Sequence, residues 1–243
     1  VKPAALLLLA ALAGAGLPGH ANAAGDTPPS VNVNSIKDPE MRSYRSIWAG
    51  IEAFDENHAL APGASLRFQM THADGGPANA SDGLLLRLAG DDSSKPVAID
   101  AGGRFTVERD RAAYDADASF ILNKKSGLYT ARPDIRSPGL PENVRRLGDL
   151  RLECRVLVAI LKEQLPFLAK AAINTMFMTG DWCGKKDVNF SFVADREVTG
   201  AVMRAGGRSQ ELQLEGWRYL VPVGSGNWPD DALIELQYAT PTN

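Results

Sequence analysis

Apolar side chains recur at helical spacing near the start of the chain and shift to a two-residue period from about position 64. Met41, Tyr44, Ile47, Trp48, Ile51 and Phe54 share one side of a helix that the pattern carries to Asn57, with Asp38 as N-cap and Pro39 in the first turn. A polar lead-in, 24–37, precedes it. Segments 66–70, 84–88, 97–100, 104–108 and 119–122 then alternate as strands do, separated by turn-rich stretches. Residues 128–148 hold Pro133, Pro138, Pro141 and Gly139 with few apolar anchors, which predicts a connection between two units, 38–127 and 149–243.

A second helix is predicted from Gly148-Asp149. Leu150, Cys154, Leu157, Leu161, Leu165 and Leu168 follow at steps of three and four, and Pro166 should kink or break the helix ahead of a further segment at 167–178. The last third returns to strands at 188–193, 198–203, 211–214, 217–223 and 232–238, with a hairpin turn at Gly206-Gly207. The expected fold class is α+β, mainly antiparallel and sandwich-like, with a leading amphipathic helix and a kinked central one. The pattern leaves open whether the two β runs make one domain or two.

Ahead of all this, Lys2, the apolar run 4–17 and Ala21-Asn22-Ala23 have the three parts of a secretory signal peptide, cleaved after residue 23. Val1 suggests an alternative bacterial start codon, so the expected destination is the periplasm. No later apolar stretch is long enough to span a bilayer. Export changes how the two cysteines are read: in an oxidising compartment Cys154 and Cys183 are expected to form one structural disulfide.

Composition narrows the function classes without choosing among them. With 44% hydrophobic residues, 23% charged residues and 26 Lys+Arg against 29 Asp+Glu, the chain is neither disordered nor a basic nucleic-acid binder. Outside the leader only His58 and His72 could serve as a base or a metal ligand, and helix-end and loop roles account for both. Carboxylates gather at Asp91-Asp92, Asp115 to Asp117 and Asp230-Asp231, without the ligand spacing of a calcium loop. No familiar hydrolase, nucleotide or zinc motif is present, and no cofactor or metal is expected.

Late aromatic residues are the candidate binding surface. Trp217, Tyr219, Trp228 and Tyr238 could present rings to a protein or carbohydrate partner, most plainly Trp228 in its Gly/Pro-rich loop, and a sheet edge could do the same.

Two resemblances add to this reading. Asp100, Gly103, Phe105 and Val107 form a D-x-x-G-x-F-x-V hairpin, and residues 84–123 around it resemble the carboxypeptidase-regulatory-like, or transthyretin-like, β-sandwich modules. That resemblance implies an Ig-like sandwich used for adhesion, folding or partner contact, with no catalytic residues to carry over. Asp181-Trp182-Cys183-Gly184 is similar to the thioredoxin active-site sequence but lacks its resolving cysteine. The leading expectation is an exported, non-enzymatic binding or assembly-support protein. The alternative is an enzyme, either a carboxylate-based hydrolase or a monothiol redox protein using Cys183.

Overall fold

Pro39–Ser43 form a strand, β1, and the first helix, α1, runs from Tyr44 to Glu56. The helix thus starts five residues later than the Asp38 cap and Pro39 suggest. Asp38 has φ 58°, in the left-handed region, whereas an N-cap needs extended backbone. Residues 39–43 instead pair with β6 (Ser119–Lys125), Met41 standing opposite Ile121. A ladder of backbone hydrogen bonds outweighs one side-chain cap worth about 1 kcal/mol. Tyr44, Ile47 and Ile51 are buried as their spacing predicts, while Met41 is 53% exposed.

The computed structural model describes residues 37–91, 93–177 and 179–240, so the proposed leader lies outside the described residues. These belong to one unit, Asn32–Asn243, in which both β runs are joined. Its described residues hold four α-helices and fourteen strands in four antiparallel sheets, the expected α+β class.

In the N-terminal half, β1 and β6 continue into β3 (Leu86–Ala89) and β4 (Ser94–Val97). A second sheet has the order β5-β2-β7, with β2 at Ser65–His72, β5 at Arg104–Phe105 and β7 at Tyr129–Arg136. The short helix α2, Arg111–Asp115, lies between β5 and β6 in sequence. The two arms flanking Asp100–Gly103 join different sheets, since β4 pairs with β3 and β5 with β2. Asp100 Oδ1 accepts from Gly102 N and Arg104 N, which closes the turn between them.

The segment read as a proline-rich connection is largely sheet. β7 pairs with β2 over its whole length, from Ser65↔Arg136 to His72↔Tyr129, and β8 (Val144–Arg146) joins the C-terminal half. Pro133 is tolerated opposite Phe68 because β7 is the edge of its sheet and one face of that strand need not donate.

The C-terminal half has a sheet of order β11-β10-β14-β8, with β10 at Val198–Ala205, β11 at Arg208–Glu211 and β14 at Leu233–Tyr238. A smaller sheet of order β12-β13-β9 is built from Leu214–Glu215, Arg218–Val221 and Phe190–Val193. Gly206 and Gly207 both have positive φ, 55° and 78°, as a tight β10–β11 hairpin requires.

Helix α3, Leu147–Gln164, runs between two hydrophobic cores. Leu147, Leu150, Cys154 and Val158 enter the C-terminal core with Met203, Val221 and Ile234; Leu152, Val156 and Ile160 enter the N-terminal core with Phe68, Leu122 and Ile135. At 100° per residue these two sets lie on opposite sides of the helix. The single leucine stripe seen in the sequence is only half of this arrangement, and its far end, Leu161 and Leu168, is exposed. Gly50 lets α1 approach α3, since a Cβ there would meet Ile160 side-chain atoms at 2.7 Å. The break at Pro166 is as expected: α3 ends at Gln164 and α4 spans Phe167–Phe177. Cys154 and Cys183 are bonded to each other and buried, with no free cysteine among the described residues.

Candidate functional site

Alternation along β2, β5 and β7 gives their sheet two unlike faces. Phe68, Met70, Phe105 and Ile135 turn toward the N-terminal core. On the other side, strand register places Arg67, Gln69 and Thr71 beside Arg132, Asp134 and Arg136, with Arg104 next to Gln69. This charged face is directed at the C-terminal half, so a polar layer separates the two cores.

Asp134 is the centre of that layer, 3% exposed. It accepts from Arg67 Nη2 at 2.7 Å, Arg104 Nε at 2.9 Å and Arg136 Nε at 2.9 Å. Asp195, which follows β9, takes Arg104 Nη2 at 2.5 Å, Arg136 Nη2 at 2.8 Å and Gln69 Nε2 at 3.2 Å. Burial works to raise both carboxyls, but the arginines overcome it and hold both below the ordinary carboxylate range. The third acid, Glu153 of α3, sits deeper. Its Oε1 accepts from Arg145 Nη2 at 2.6 Å and from Ile135 N at 2.7 Å. Burial prevails here and pushes the Glu153 carboxyl up to about 7.

Four arginines, Arg67, Arg104, Arg136 and Arg145, therefore serve three carboxylates, and two more, Arg132 and Arg218, are the surplus. The Arg132 side chain makes no ion pair or hydrogen bond among the described residues, and neither it nor Arg218 of β13 is paired with a carboxylate. Burial first, and then the charge of Arg218, make the protonated Arg132 less favourable. Arg132 lines a cavity of about 40 Å³, shared with Gln69, Asp134, Arg145, Glu153 and Ser191 on its polar side. Leu157, Phe190 and Phe192 form an apolar wall. Among the described residues three buried side-chain polar atoms have no partner: Arg145 Nε, Ser191 Oγ and Arg218 Nε. Two of these belong to residues that line the cavity. An unpaired buried donor costs about 1–3 kcal/mol, and here Arg145 Nε and the Arg132 guanidinium are donors that no side chain of the site satisfies. What the arrangement can do is bind a negative charge.

The sequence-predicted aromatics do not gather on one surface. Tyr219 is 0% exposed, its hydroxyl accepting from Arg145 Nη1 at 3.4 Å, and burial pushes it up to about 12. Trp228 is also buried, under the Arg208 guanidinium. Trp217 and Tyr238 are half-buried, the latter under Arg196. The loop rings thus complete the core or carry a cation, and a ring surface made of all four is not formed.

Nor do the histidines meet paired carboxylates. His58 Nε2 lies 3.1 Å from Ala64 O, and His72 Nε2 is 3.3 Å from Asp82 beside the Tyr129 ring. No group of three or more metal-ligating side chains occurs among the described residues. Asp115 pairs with Arg111, Asp117 with Arg45 and Asp230 with Arg151, which absorbs much of the acidic loop charge. Cys183 is bridged and buried, so the exposed thiol that the redox alternative needs is not there.

Sequence reasoning missed the arginine cavity. Its signal was Arg132-Pro133-Asp134-Ile135-Arg136, charge at every second residue, which the proline disguised as a connection. One further surface is apolar: Phe167 and Leu168 at the start of α4 are each 79% exposed, and Met176 68%. No described helix is long and apolar enough to cross a membrane. Comparison with family models, curated proteins and solved structures gives no match.

Proposed function

We propose that this is an exported, non-enzymatic binding protein whose ligand is a small anion held in the cavity between its two cores. The observation that carries the reading is Arg132: a half-buried guanidinium facing a cavity, with a second arginine nearby and no carboxylate of its own. A half-buried guanidinium that forms no ion pair is free to hold an anion that enters the cavity. The volume of about 40 Å³ is a few times the roughly 10–15 Å³ that one water needs on the same measure, which is room for one small polyatomic ion. The leader and the disulfide support export to an oxidising compartment. Catalysis is disfavoured because Asp134 and Asp195 are held ionised by arginines and neither is the partner of a histidine.

Thermal unfolding in chloride, nitrate, formate, acetate and phosphate salts at fixed ionic strength tests this. At about one hundred times its Kd a ligand adds about 2.7 kcal/mol to stability, which a melting curve resolves. At least one anion should raise the midpoint of the wild-type chain and fail to do so in Arg132→Gln. If none of them does, the cavity is not an anion site.

A further inference from the structure

Glu153 reaches the cavity from α3 with its two carboxylate oxygens in different circumstances. Oε1 is occupied by Arg145 Nη2 and the Ile135 N–H, whereas Oε2 accepts no hydrogen bond from the described residues. The charged and titratable groups that act on it are Arg145 from β8, Arg132 and Asp134 from β7, and Tyr219 from β13, with Arg218 beside Arg132 and Arg136 beside Asp134. Arg145 stabilises a negative Glu153; Asp134, fixed as an anion by its own three arginines, opposes one.

Into this setting the proposed ligand brings another negative charge. With Glu153 ionised, two anions would share about 40 Å³ of low-dielectric space. With Glu153 neutral, the same oxygen becomes an O–H donor aimed at the ligand, as a buried carboxylic acid can be. The Arg132 guanidinium offers two parallel N–H groups, which suit the two oxygens of a planar carboxylate better than a sphere or a tetrahedron. The wall of Leu157, Phe190 and Phe192 accepts a hydrogen or a methyl group but not a second charge.

We propose that the cavity takes up a monocarboxylate of formate or acetate size together with one proton, which rests on Glu153 Oε2 and bonds to the ligand. The inference rests on the reading of the cavity as an anion site. Its balance is simple: one carboxylate and one proton enter, Glu153 passes from carboxylate to carboxylic acid, and no bond to carbon changes. Burial, which pushes Glu153 up to about 7 against the pull of Arg145, places the proton affinity where such coupling operates near neutral pH.

Calorimetric titration of the full chain with sodium acetate and sodium formate, in buffers of different ionisation heat, tests the coupling. At pH 8 about one proton should be absorbed per ligand bound, and Kd should weaken about tenfold per pH unit above 7 while staying flat well below it. Glu153→Gln, permanently neutral, should keep acetate binding and lose both the proton uptake and the pH slope. Acetate binding without proton uptake at pH 8 overturns the coupling and leaves the anion site standing. Tighter binding of chloride or phosphate than of acetate overturns the ligand class. No binding of any anion overturns the site itself. Should Glu153→Gln fail to fold, the proton count and pH profile of the unaltered chain decide.

Discussion

Arg132 and Asp134 stand two residues apart on the same face of β7, and the acid is held by three arginines while the Arg132 guanidinium forms no ion pair. The charge in this layer is unevenly shared, and the two residues should respond to mutation in opposite ways.

Removing the well-held member should be costly. Asp134→Asn leaves Arg67, Arg104 and Arg136 around a neutral amide, with Asp195 as the remaining acid for two of them. Breaking a buried network by deleting one partner costs about 3–5 kcal/mol, and partial exposure of the arginines places the expectation near 3. Urea unfolding would measure it. Arg132→Gln, which relieves rather than creates an unpaired charge, should be neutral or stabilising in anion-free buffer.

Stability should depend on pH with two opposed contributions. Asp134 and Asp195 are held below their ordinary value, so their contribution is present above about pH 4 and lost as pH falls through the folded values. Glu153 is raised from 4.5 to about 7, so its contribution is complete below 4.5 and lost as pH rises toward 7. Denaturant midpoints from pH 3 to 8 should therefore pass through a maximum on the acid side of neutrality, and Glu153→Gln should remove the decline between 4.5 and 7.

The bond between Cys154 and Cys183 spans 29 residues and attaches the segment carrying α4 to the middle of α3. Chain-entropy arithmetic for a loop of that length gives about 3.5 kcal/mol. Replacing both cysteines by alanine should lower unfolding free energy by about that amount, and amide exchange should accelerate first in α4.

Much of the fold was legible because two periods dominate it. Tyr44, Ile47 and Ile51 on α1, the break at Pro166 and the Gly206-Gly207 hairpin all follow from local chemistry. What was not legible depends on partners distant in sequence. β1 is a strand because β6 lies alongside it, and β7 is a strand because β2 covers it despite Pro133. The cavity suffered most, since Arg132, Arg145, Glu153 and Ser191 come from four elements and each alone looks like ordinary surface charge or polarity. Trp228 and Tyr219 misled in the reverse direction, being rings in polar surroundings that the fold nonetheless buries.

Gly148 offers a sharp steric test. A Cβ there would lie 2.2 Å from Leu60 O and 3.1 Å from Asp230 O, both backbone atoms that cannot swing aside. Gly148→Ala should destabilise by about 3 kcal/mol, and a melting curve indistinguishable from the wild type would show that the start of α3 has room it does not display.

On α4, exposure predicts tolerance. Leu168→Lys and Met176→Lys should each change stability by less than about 0.5 kcal/mol, because neither side chain is buried. Ile173→Ala, on the side packed against the C-terminal core, should cost about 1 kcal/mol or more. Equal losses on both sides would mean that the outer face is covered in solution.

Because α3 supplies side chains to both hydrophobic cores, neither half has a complete interior without it. Heat or denaturant should then take the chain apart in one cooperative step despite its two β runs, and a cut between β7 and β8 should yield fragments that recombine rather than two proteins. Neither half should therefore fold as a transplanted module, because the wall they share belongs to each.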